Sequence, residues 1–165
     1  MKKLTLIRHA KSSWKYPNLD DLDRPLNRRG RRDAPMMGKR LAKDKALPDL
    51  MISSPAKRAW KTAKIIAREV GCEKTKIEKN VALYEAGVSE LIQVIQKIDG
   101  KYNDVMIFGH NPGFTSLAHY LTNYEVDNIP TSGIFVIEFN VDSWQEVSPG
   151  KGKFISFDYP KKEQL

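Results

Sequence analysis

The stretch LTLIRHAKS, residues 4–12, decides how this chain of 165 residues folds, because a short and mostly apolar run stops there at an arginine–histidine pair. Such a run between charged residues predicts a buried strand, most often one in a parallel sheet. Open α/β sheets bind ligands at the edge where their strands end, and Arg8 and His9 lie at such an end. A guanidinium group binds phosphate through two hydrogen bonds and an imidazole can attack phosphorus, so this pair indicates phosphoryl chemistry.

A second segment has the same order of strand, turn and helix start. The run DLMIS, residues 49–53, predicts another strand, and a helical pattern follows through Val70. Ser54 suits the N-cap of this helix, and Pro55 suits its first position, where a missing N–H costs nothing. Arg58 then falls in the first turn, beside free backbone donors that favour an anion.

The third segment is VMIFGHNPG, residues 105–113, in which a strand ends at Gly109 and His110. Asn111 is the predicted N-cap and Pro112 the predicted first helical residue. Three strand ends therefore present Arg8 with His9, Arg58, and His110. We expect these four side chains to surround one anion.

Strands and helices alternate along the whole chain. The hydrophobic periodicity predicts strands at about 4–7, 49–53, 76–80, 104–109, 133–139 and 153–158, and helices at about 28–44, 56–70, 88–98 and 112–121. This alternation predicts a three-layer α/β/α sandwich with a mostly parallel sheet, whose last two strands pair as an antiparallel edge. We expect one domain over residues 1–160 and a polar tail over 161–165.

The composition indicates a globular protein and argues against disulfide-bonded, secreted and membrane-spanning classes. Hydrophobic residues make up 41% of the chain, as in globular proteins, and Cys72 is the only cysteine. A single cysteine excludes an intramolecular disulfide and a cysteine-based zinc site. The apolar run before Arg8 is too short for a secretory signal, and no run approaches membrane-spanning length. We therefore expect a cytoplasmic protein that does not bind a membrane.

The net charge of +8 is unevenly distributed, since residues 1–80 carry 22 Lys and Arg against 9 Asp and Glu. Five arginines lie between residues 24 and 32. This cluster is either a solvated helix face or a surface for an acidic partner or substrate. Nucleic acid is the weaker interpretation, because the cluster has no interleaved aromatic residues and matches no nucleic-acid-binding motif.

Taken together, these motifs resemble the histidine phosphatase superfamily, which includes phosphoglycerate mutases and acid phosphatases. The residues that carry the resemblance are Arg8-His9, Ser54-Pro55 with Arg58 and Thr62, and Gly109-His110. The SixA-type phosphohistidine phosphatases are the most similar branch, through the run from Arg8 to Trp14, Asp23-Arg24-Pro25-Leu26, and Arg29-Gly30. The resemblance implies a phosphoglycerate mutase-like fold. Ala10, which stands where the mutases commonly have glycine, and the short chain favour a phosphatase over a mutase.

The resemblance implies a covalent mechanism in which neutral His9 attacks phosphorus and water then hydrolyses the phosphohistidine. Arg8, Arg58 and a charged His110 would lower the pKa of His9 and hold the charge of the transferring group. This chemistry requires no metal and no cofactor. A metal site formed by His9, His110 and His119 is an alternative, although no short ligand spacing supports it.

Two carboxylates are candidates for the residue that donates a proton to the leaving group. Glu85 approximately matches the acid position of the superfamily, but it could equally be a carboxylate that stabilises a helix start. Asp23 is the rival, and it could instead form a loop ion pair with Arg24. An imidazole leaving group needs less acid assistance than an alkoxide, so a phosphohistidine substrate would tolerate a poorly placed acid.

Residues at the rim of the site are expected to bind substrate. Ser12 could donate a hydrogen bond to phosphate, and Trp14 could form one wall of the entrance. Thr131-Ser132-Gly133 either lines the pocket or forms a turn. Lys11 is more simply explained as a solvated lysine.

The sequence thus predicts a phosphatase that acts on phosphohistidine, in a protein or a small molecule, or on a small phosphomonoester. A mutase-like phosphoryl transferase is the enzymatic alternative. A module that binds phosphate or nucleic acid without catalysis is the alternative from another class.

Overall fold

The computed structural model describes residues 1–164, which form a six-stranded sheet and four α-helices. The strands are β1 (Lys2–Arg8), β2 (Leu50–Ser53), β3 (Ile77–Lys79), β4 (Asp104–Gly109), β5 (Ile134–Phe139) and β6 (Gly152–Asp158). The helices are α1 (Arg28–Lys43), α2 (Lys57–Val70), α3 (Val88–Gln96) and α4 (Gly113–Thr122). Every predicted strand and helix is present, with ends within about two residues of the prediction.

The strands lie in the order β3-β2-β4-β1-β5-β6. Strands β1 to β4 are parallel to one another, whereas β5 is antiparallel to both β1 and β6. The prediction of a mostly parallel sheet with an antiparallel edge is confirmed. In the register, Arg8 lies opposite Gly109, and Ser53 lies opposite Phe108. The carboxyl ends of β1, β2 and β4 therefore meet at one edge.

Helices cover both faces of the sheet, because side chains on a strand alternate between the two faces. Leu4 and Leu6 on β1 pack with the α3 and α4 side, and Ile7 packs with the α1 and α2 side. Phe108 is fully buried among residues of α1 and α2. Removing a phenylalanine from such a core costs about 3–5 kcal/mol of stability. No helix among residues 1–164 has the length and apolarity to cross a membrane.

Both helices that follow the site strands begin later than predicted. Helix α2 has Ala56 as its N-cap, and the Ser54 hydroxyl accepts a hydrogen bond from Ala56 N at 3.2 Å in a tight turn. Helix α4 has Pro112 in the cap position, while Asn111 Oδ1 accepts from Thr115 N at 3.2 Å. The predicted caps are wrong because each strand is followed by a turn before its helix starts.

Candidate active site

Two histidines face each other at the carboxyl edge of the parallel strands. His9 follows β1 and His110 follows β4, and the backbone N–H of His9 donates to the carbonyl of Gly109 at 3.0 Å. Their ring centroids are 5.2 Å apart, with a tilt of 52° between the ring planes. The parallel register of these neighbouring strands produces this proximity across about a hundred residues of chain.

The hydrogen bond of His9 fixes which ring nitrogen is free. His9 Nδ1 lies 2.7 Å from the carbonyl oxygen of Ala10. A carbonyl can only accept, so Nδ1 carries the proton and donates it. In the neutral ring, Nε2 therefore carries no proton and has the free lone pair that a nucleophile needs.

Burial keeps both histidines neutral. It lowers the pKa of His9 to about 3, and the positive charges of Arg58 and Arg8 add to that effect. Burial likewise lowers the pKa of His110 to about 4, again with a contribution from Arg58. His110 is therefore uncharged near neutral pH, and the expectation of a charged His110 is wrong for the protein without substrate.

Ser54 and Tyr84 hold the His110 ring. His110 Nε2 lies 2.7 Å from the Ser54 hydroxyl, which is fully buried at the end of β2. The Tyr84 ring meets the His110 ring edge-on at 5.6 Å between centroids. These two contacts restrict the rotation of the imidazole and orient it toward His9.

Arg8 has one anchored and one unpartnered nitrogen. Its Nη1 donates to the carbonyl of Ile129 at 2.9 Å, which holds the guanidinium at the strand end. Its Nε is buried and finds no hydrogen-bond partner among residues 1–164. A buried donor without a partner is costly, and an oxygen of a bound anion would satisfy it.

Arg58, in the first turn of α2, is held by Asp21, an acidic residue that no sequence pattern marks as part of the site. Arg58 Nη1 donates to the backbone carbonyl of Asp21 at 2.6 Å, and Nη2 donates to the Asp21 carboxylate at 2.9 Å. The Tyr84 hydroxyl donates to the same carboxylate oxygen at 2.5 Å. These bonds fix the direction of the guanidinium.

The contacts of Asp21 keep it ionised. The hydrogen bond from Tyr84, followed by those from Arg24 and Arg58, holds the pKa of the Asp21 carboxyl well below its usual range. The same contact raises the pKa of Tyr84 to about 12, because the phenol donates to an anion. Asp21 is therefore an acceptor that positions cations and is unsuited to donate a proton.

Arg24 links the rim of the site to Asp21. Its Nη1 donates to Asp21 Oδ1 at 3.0 Å and its Nη2 donates to the Ser12 hydroxyl at 2.5 Å. Its guanidinium carbon lies 3.3 Å from the centroid of the Trp14 ring, which is 76% exposed. The structure thus brings Ser12 and Trp14 to the rim of the site through Arg24, and their contact with substrate stays a prediction.

Thr62 joins the β1 side of the site to the α2 side. Its hydroxyl accepts from Ala10 N at 3.0 Å and donates to the carbonyl of Arg58 at 2.7 Å. Ser132, in a turn with φ 63°, donates its N–H to the carbonyls of Arg8 and His9. The backbone therefore forms the turn considered for residues 131–133. The Ser132 hydroxyl is buried without a hydrogen-bond partner among residues 1–164, and its contact with substrate stays a prediction.

The remaining candidates form no hydrogen bond, ion pair or ring contact with the histidine pair within residues 1–164. Glu85 is exposed, with φ 55°, in the turn after Tyr84, and its carboxylate has no hydrogen bond within residues 1–164. Asp23 is also exposed, and Arg24 pairs with Asp21, so the Asp23–Arg24 ion pair considered as an alternative does not form. His119 Nδ1 lies 3.3 Å from the carbonyl oxygen of Tyr124. In the described part of the chain, no three His, Cys, Asp or Glu side chains form a group that could hold a metal ion.

The cluster of histidines and arginines, and not the presence of a large cavity, identifies the candidate site. A cavity of about 470 Å³ lies elsewhere, between β2, β3 and α3, and it is lined by residues such as Gln93 and Tyr102. We assign no role to it, because it contains none of the clustered cations or histidines.

Comparison with known proteins agrees with this geometry. Residues 4–91 match the model of the histidine phosphatase superfamily, branch 1. An uncharacterized chloroplast protein of Arabidopsis thaliana is 29% identical over 153 residues, which cover 88% of this chain and 70% of the relative. A candidate phosphohistidine phosphatase SixA from Agrobacterium tumefaciens superimposes with a TM-score of 0.83 at 25% identity, over 96% of this chain and 98% of its own. The protein histidine phosphatase SixA in complex with tungstate gives a TM-score of 0.81 at 20% identity, over 96% and 97% of the two chains.

Proposed function

The chain belongs to the histidine phosphatase superfamily, as its motifs predict, and on this premise we propose that it hydrolyses phosphohistidine through a covalent intermediate on His9. Superfamily membership and the SixA fold support phosphoryl transfer in general. The observation that carries the specific proposal is the state of His9. A buried, neutral imidazole whose Nδ1–H is bound to a carbonyl offers Nε2 as a nucleophile.

In the first step, the Nε2 lone pair of His9 attacks phosphorus in line with the bond to the leaving group. That bond breaks, and the leaving nitrogen or oxygen keeps the electron pair and takes up a proton. In the second step, water attacks the phosphohistidine, the bond between Nε2 and phosphorus breaks, and inorganic phosphate leaves. Dividing one displacement into two lowers the barrier that each step must cross.

Two guanidinium groups stabilise the charge of the transferring phosphoryl group. The unpartnered Nε of Arg8 and the N–H groups of Arg58 that Asp21 does not occupy can donate to its oxygens. Positioned cations are the main requirement of phosphoryl transfer, and this pair meets it with the chain's own side chains.

Substrate classes differ in how strongly the leaving group needs a proton donor. An alkoxide needs a strong donor, and the two carboxylates considered for that role, Glu85 and Asp23, are exposed and make no side-chain bond to the histidines. Asp21, the carboxylate that does reach Arg58, is held ionised. An imidazole leaving group requires less assistance, and His110, whose pKa rises beside a bound phosphate dianion, can supply the proton. This contrast favours phosphohistidine over a phosphomonoester.

The test measures phosphate release from phosphohistidine and from phosphoserine. The wild type should release phosphate faster from phosphohistidine, and quenching in alkali should trap one phosphoryl group on the protein that acid removes. His9→Ala should lose both signals, whereas His119→Ala, a histidine outside the site, should keep them. Normal turnover by His9→Ala, or the absence of any turnover or adduct in the wild type, would overturn the proposal.

A further inference from the structure

A strip of cations runs along the exposed side of α2, away from the histidine pair. It consists of Lys57, Lys61, Lys64 and Arg68, and we call it the α2 basic strip. The spacing of 4, 3 and 4 residues puts all four side chains within an arc of about 60° on the helix and over a length of about 16 Å. The strip begins at the helix start that carries Arg58.

The cations of the strip form no ion pair with the rest of the described chain. None of its four cations lies within 4.0 Å of a carboxylate oxygen in residues 1–164. Neighbours three and four positions apart on a helix repel when they carry the same charge. Lys57 also lies in the first turn, where the helix dipole disfavours a cation. An anion bound from outside would offset both unfavourable terms.

Two grooves adjoin the strip and share Lys61 and Lys64. The first, of about 390 Å³, is lined by Pro25, Leu26, Arg31, Lys57, Trp60, Lys61 and Lys64. The second, of about 320 Å³, is lined by Lys61, Lys64, Ile65, Ala67, Arg68, Cys72 and Lys74. Neither lining contains a carboxylate. Apolar walls edged by cations suit a ligand that is both acidic and partly apolar.

The arginine cluster at residues 24–32, which the sequence leaves open as a solvated helix face or a surface for an acidic partner, is partly paired within the fold. Arg24 bonds to Asp21 and Ser12, and Arg29 and Arg32 lie within ion-pair distance of the buried Asp33. The α2 basic strip differs from that cluster in that none of its cations has an ion-pair partner among residues 1–164, and Arg31 of the cluster adjoins it in the first groove.

Building on the proposed phosphatase function, we propose that the α2 basic strip and its grooves dock an acidic segment of a phosphorylated protein substrate. The first groove is walled by Pro25 and Leu26, in the segment that also supplies Asp21 and Arg24 to the site. A chain lying in this groove reaches the Arg58 end of α2, and so delivers a neighbouring phosphohistidine to His9.

A protein segment fits this surface better than nucleic acid does. Base stacking needs a free aromatic face, whereas the Trp60 ring is approached by Lys79 Nζ at 4.6 Å and by Lys64 Nζ at 6.0 Å. Acidic side chains can instead pair with the lysines while apolar ones enter the grooves.

The experiment compares kcat/KM for three substrates: free phosphohistidine, a peptide with phosphohistidine flanked by glutamates, and the same peptide with serines in their place. The wild type should prefer the glutamate peptide by roughly tenfold, because several weak ion pairs add, and salt should reduce this preference. Lys61→Glu/Lys64→Glu should abolish the preference and leave free phosphohistidine turnover unchanged. The control Lys39→Glu/Lys151→Glu makes the same charge change at two exposed lysines outside the strip and should retain the preference.

Equal kcat/KM for both peptides in the wild type, or a preference that survives Lys61→Glu/Lys64→Glu, would overturn the docking proposal. Fluorescence anisotropy of the labelled, unphosphorylated glutamate peptide tests docking without catalysis. If no substrate is hydrolysed, the proposed function fails, and loss of peptide binding in Lys61→Glu/Lys64→Glu alone still supports the strip. A single-stranded oligonucleotide that binds more tightly than the peptide and displaces it would assign the strip to nucleic acid instead.

Discussion

The Asp21 carboxylate lies 2.9 Å from Nη2 of Arg58, and the backbone carbonyl of the same residue binds Nη1 of that guanidinium. One residue thus fixes the orientation of the arginine from two atoms. The loop that carries Asp21 thereby becomes part of the proposed phosphate site, although it supplies no group that attacks phosphorus.

Asp21→Asn should lower kcat about tenfold or more, because a hydrogen bond between charged groups is worth roughly 1.5–3 kcal/mol. The inhibition constant of inorganic phosphate should not rise, since the change removes a negative charge beside the binding site. Steady-state kinetics with phosphate as inhibitor separates the two effects. Asp23→Asn is the matched control, because that carboxylate is exposed on the same turn. A loss of kcat in Asp23→Asn would identify Asp23 as the acid after all.

The activity should remain on a plateau down to about pH 5 and fall below about pH 4. The pKa values of His9 and His110, lowered to about 3 and about 4, lie below the usual 6.5, so both rings are neutral above that range. Protonation of His9 removes the nucleophilic lone pair. The measurement is a pH profile of kcat/KM with an acid-stable aryl phosphate, corrected for the ionisation of that substrate. Its acidic limb gives the pKa of the group that must be deprotonated. A limb centred at 6.5 would show that burial does not control these rings.

The same lowered pKa values predict the pH dependence of stability. Between about pH 3 and pH 6.5 the unfolded chain binds more protons at these histidines than the folded chain does, so the free energy of unfolding should fall as the pH is lowered through that window. His9→Asn should make the dependence shallower. Urea unfolding at several pH values provides the measurement, with His119→Asn as the control. Equal slopes in wild type and His9→Asn would contradict the prediction.

Arg8→Ala and Arg58→Ala should each lower kcat/KM by about 10²–10³, the usual effect of removing a donor that stabilises transition-state charge. Each variant should retain the melting temperature to within a few degrees, because neither side chain belongs to the apolar core. Arg68→Ala, on the exposed side of α2, tests for a general loss of positive charge and should not change turnover of free phosphohistidine. Nearly normal kcat/KM in Arg8→Ala would exclude that residue from the site.

Gly30→Ala should destabilise the protein by about 1–3 kcal/mol, although an alanine is normally preferred inside a helix. A Cβ at residue 30 would collide with the backbone carbonyl of Lys11, next to the segment that carries His9. Gly100→Ala is the control, since a Cβ there meets nothing within 4 Å. Chemical denaturation of both variants decides the matter. A Gly30→Ala protein as stable as the wild type would show that the two segments can separate at little cost.

Trp14→Ala should raise KM for phosphohistidine, because the ring stacks on Arg24 and that arginine holds both Asp21 and Ser12. Substrate affinity measured alongside kcat tests the predicted role in the entrance. An unchanged KM would remove Trp14 from the site.

The sequence predicts the elements that end or begin at the site, because apolar runs and breaks report directly on strands and turns. It therefore selects Arg8, His9 and His110, which lie at strand ends, and Arg58, which lies in the first turn of the helix after β2. It does not select Asp21, which lies in a long connection without periodicity and meets Arg58 across 37 residues. Such a contact depends on how the loop folds back, and no local pattern records it.

The choice of the wrong acidic neighbour has a similar origin. Asp23 is adjacent to Arg24 in sequence, but the short turn at Asp21–Asp23 brings residues three apart to the same side. Arg24 consequently pairs with Asp21. Ser54 illustrates the same limit, since its hydroxyl also meets His110, a residue 56 positions away.

The pairing of Arg8 with Gly109 has a consequence for how the protein is made. A ribosome-bound chain that has delivered only its first hundred residues already contains His9 and Arg58, yet it has nothing against which to align them. Contacts between such distant parts of a sequence form late, after the loop between them has closed. Turnover therefore reports on completed folding: a nascent or truncated chain that lacks β4 should be inert even though it already contains its nucleophile.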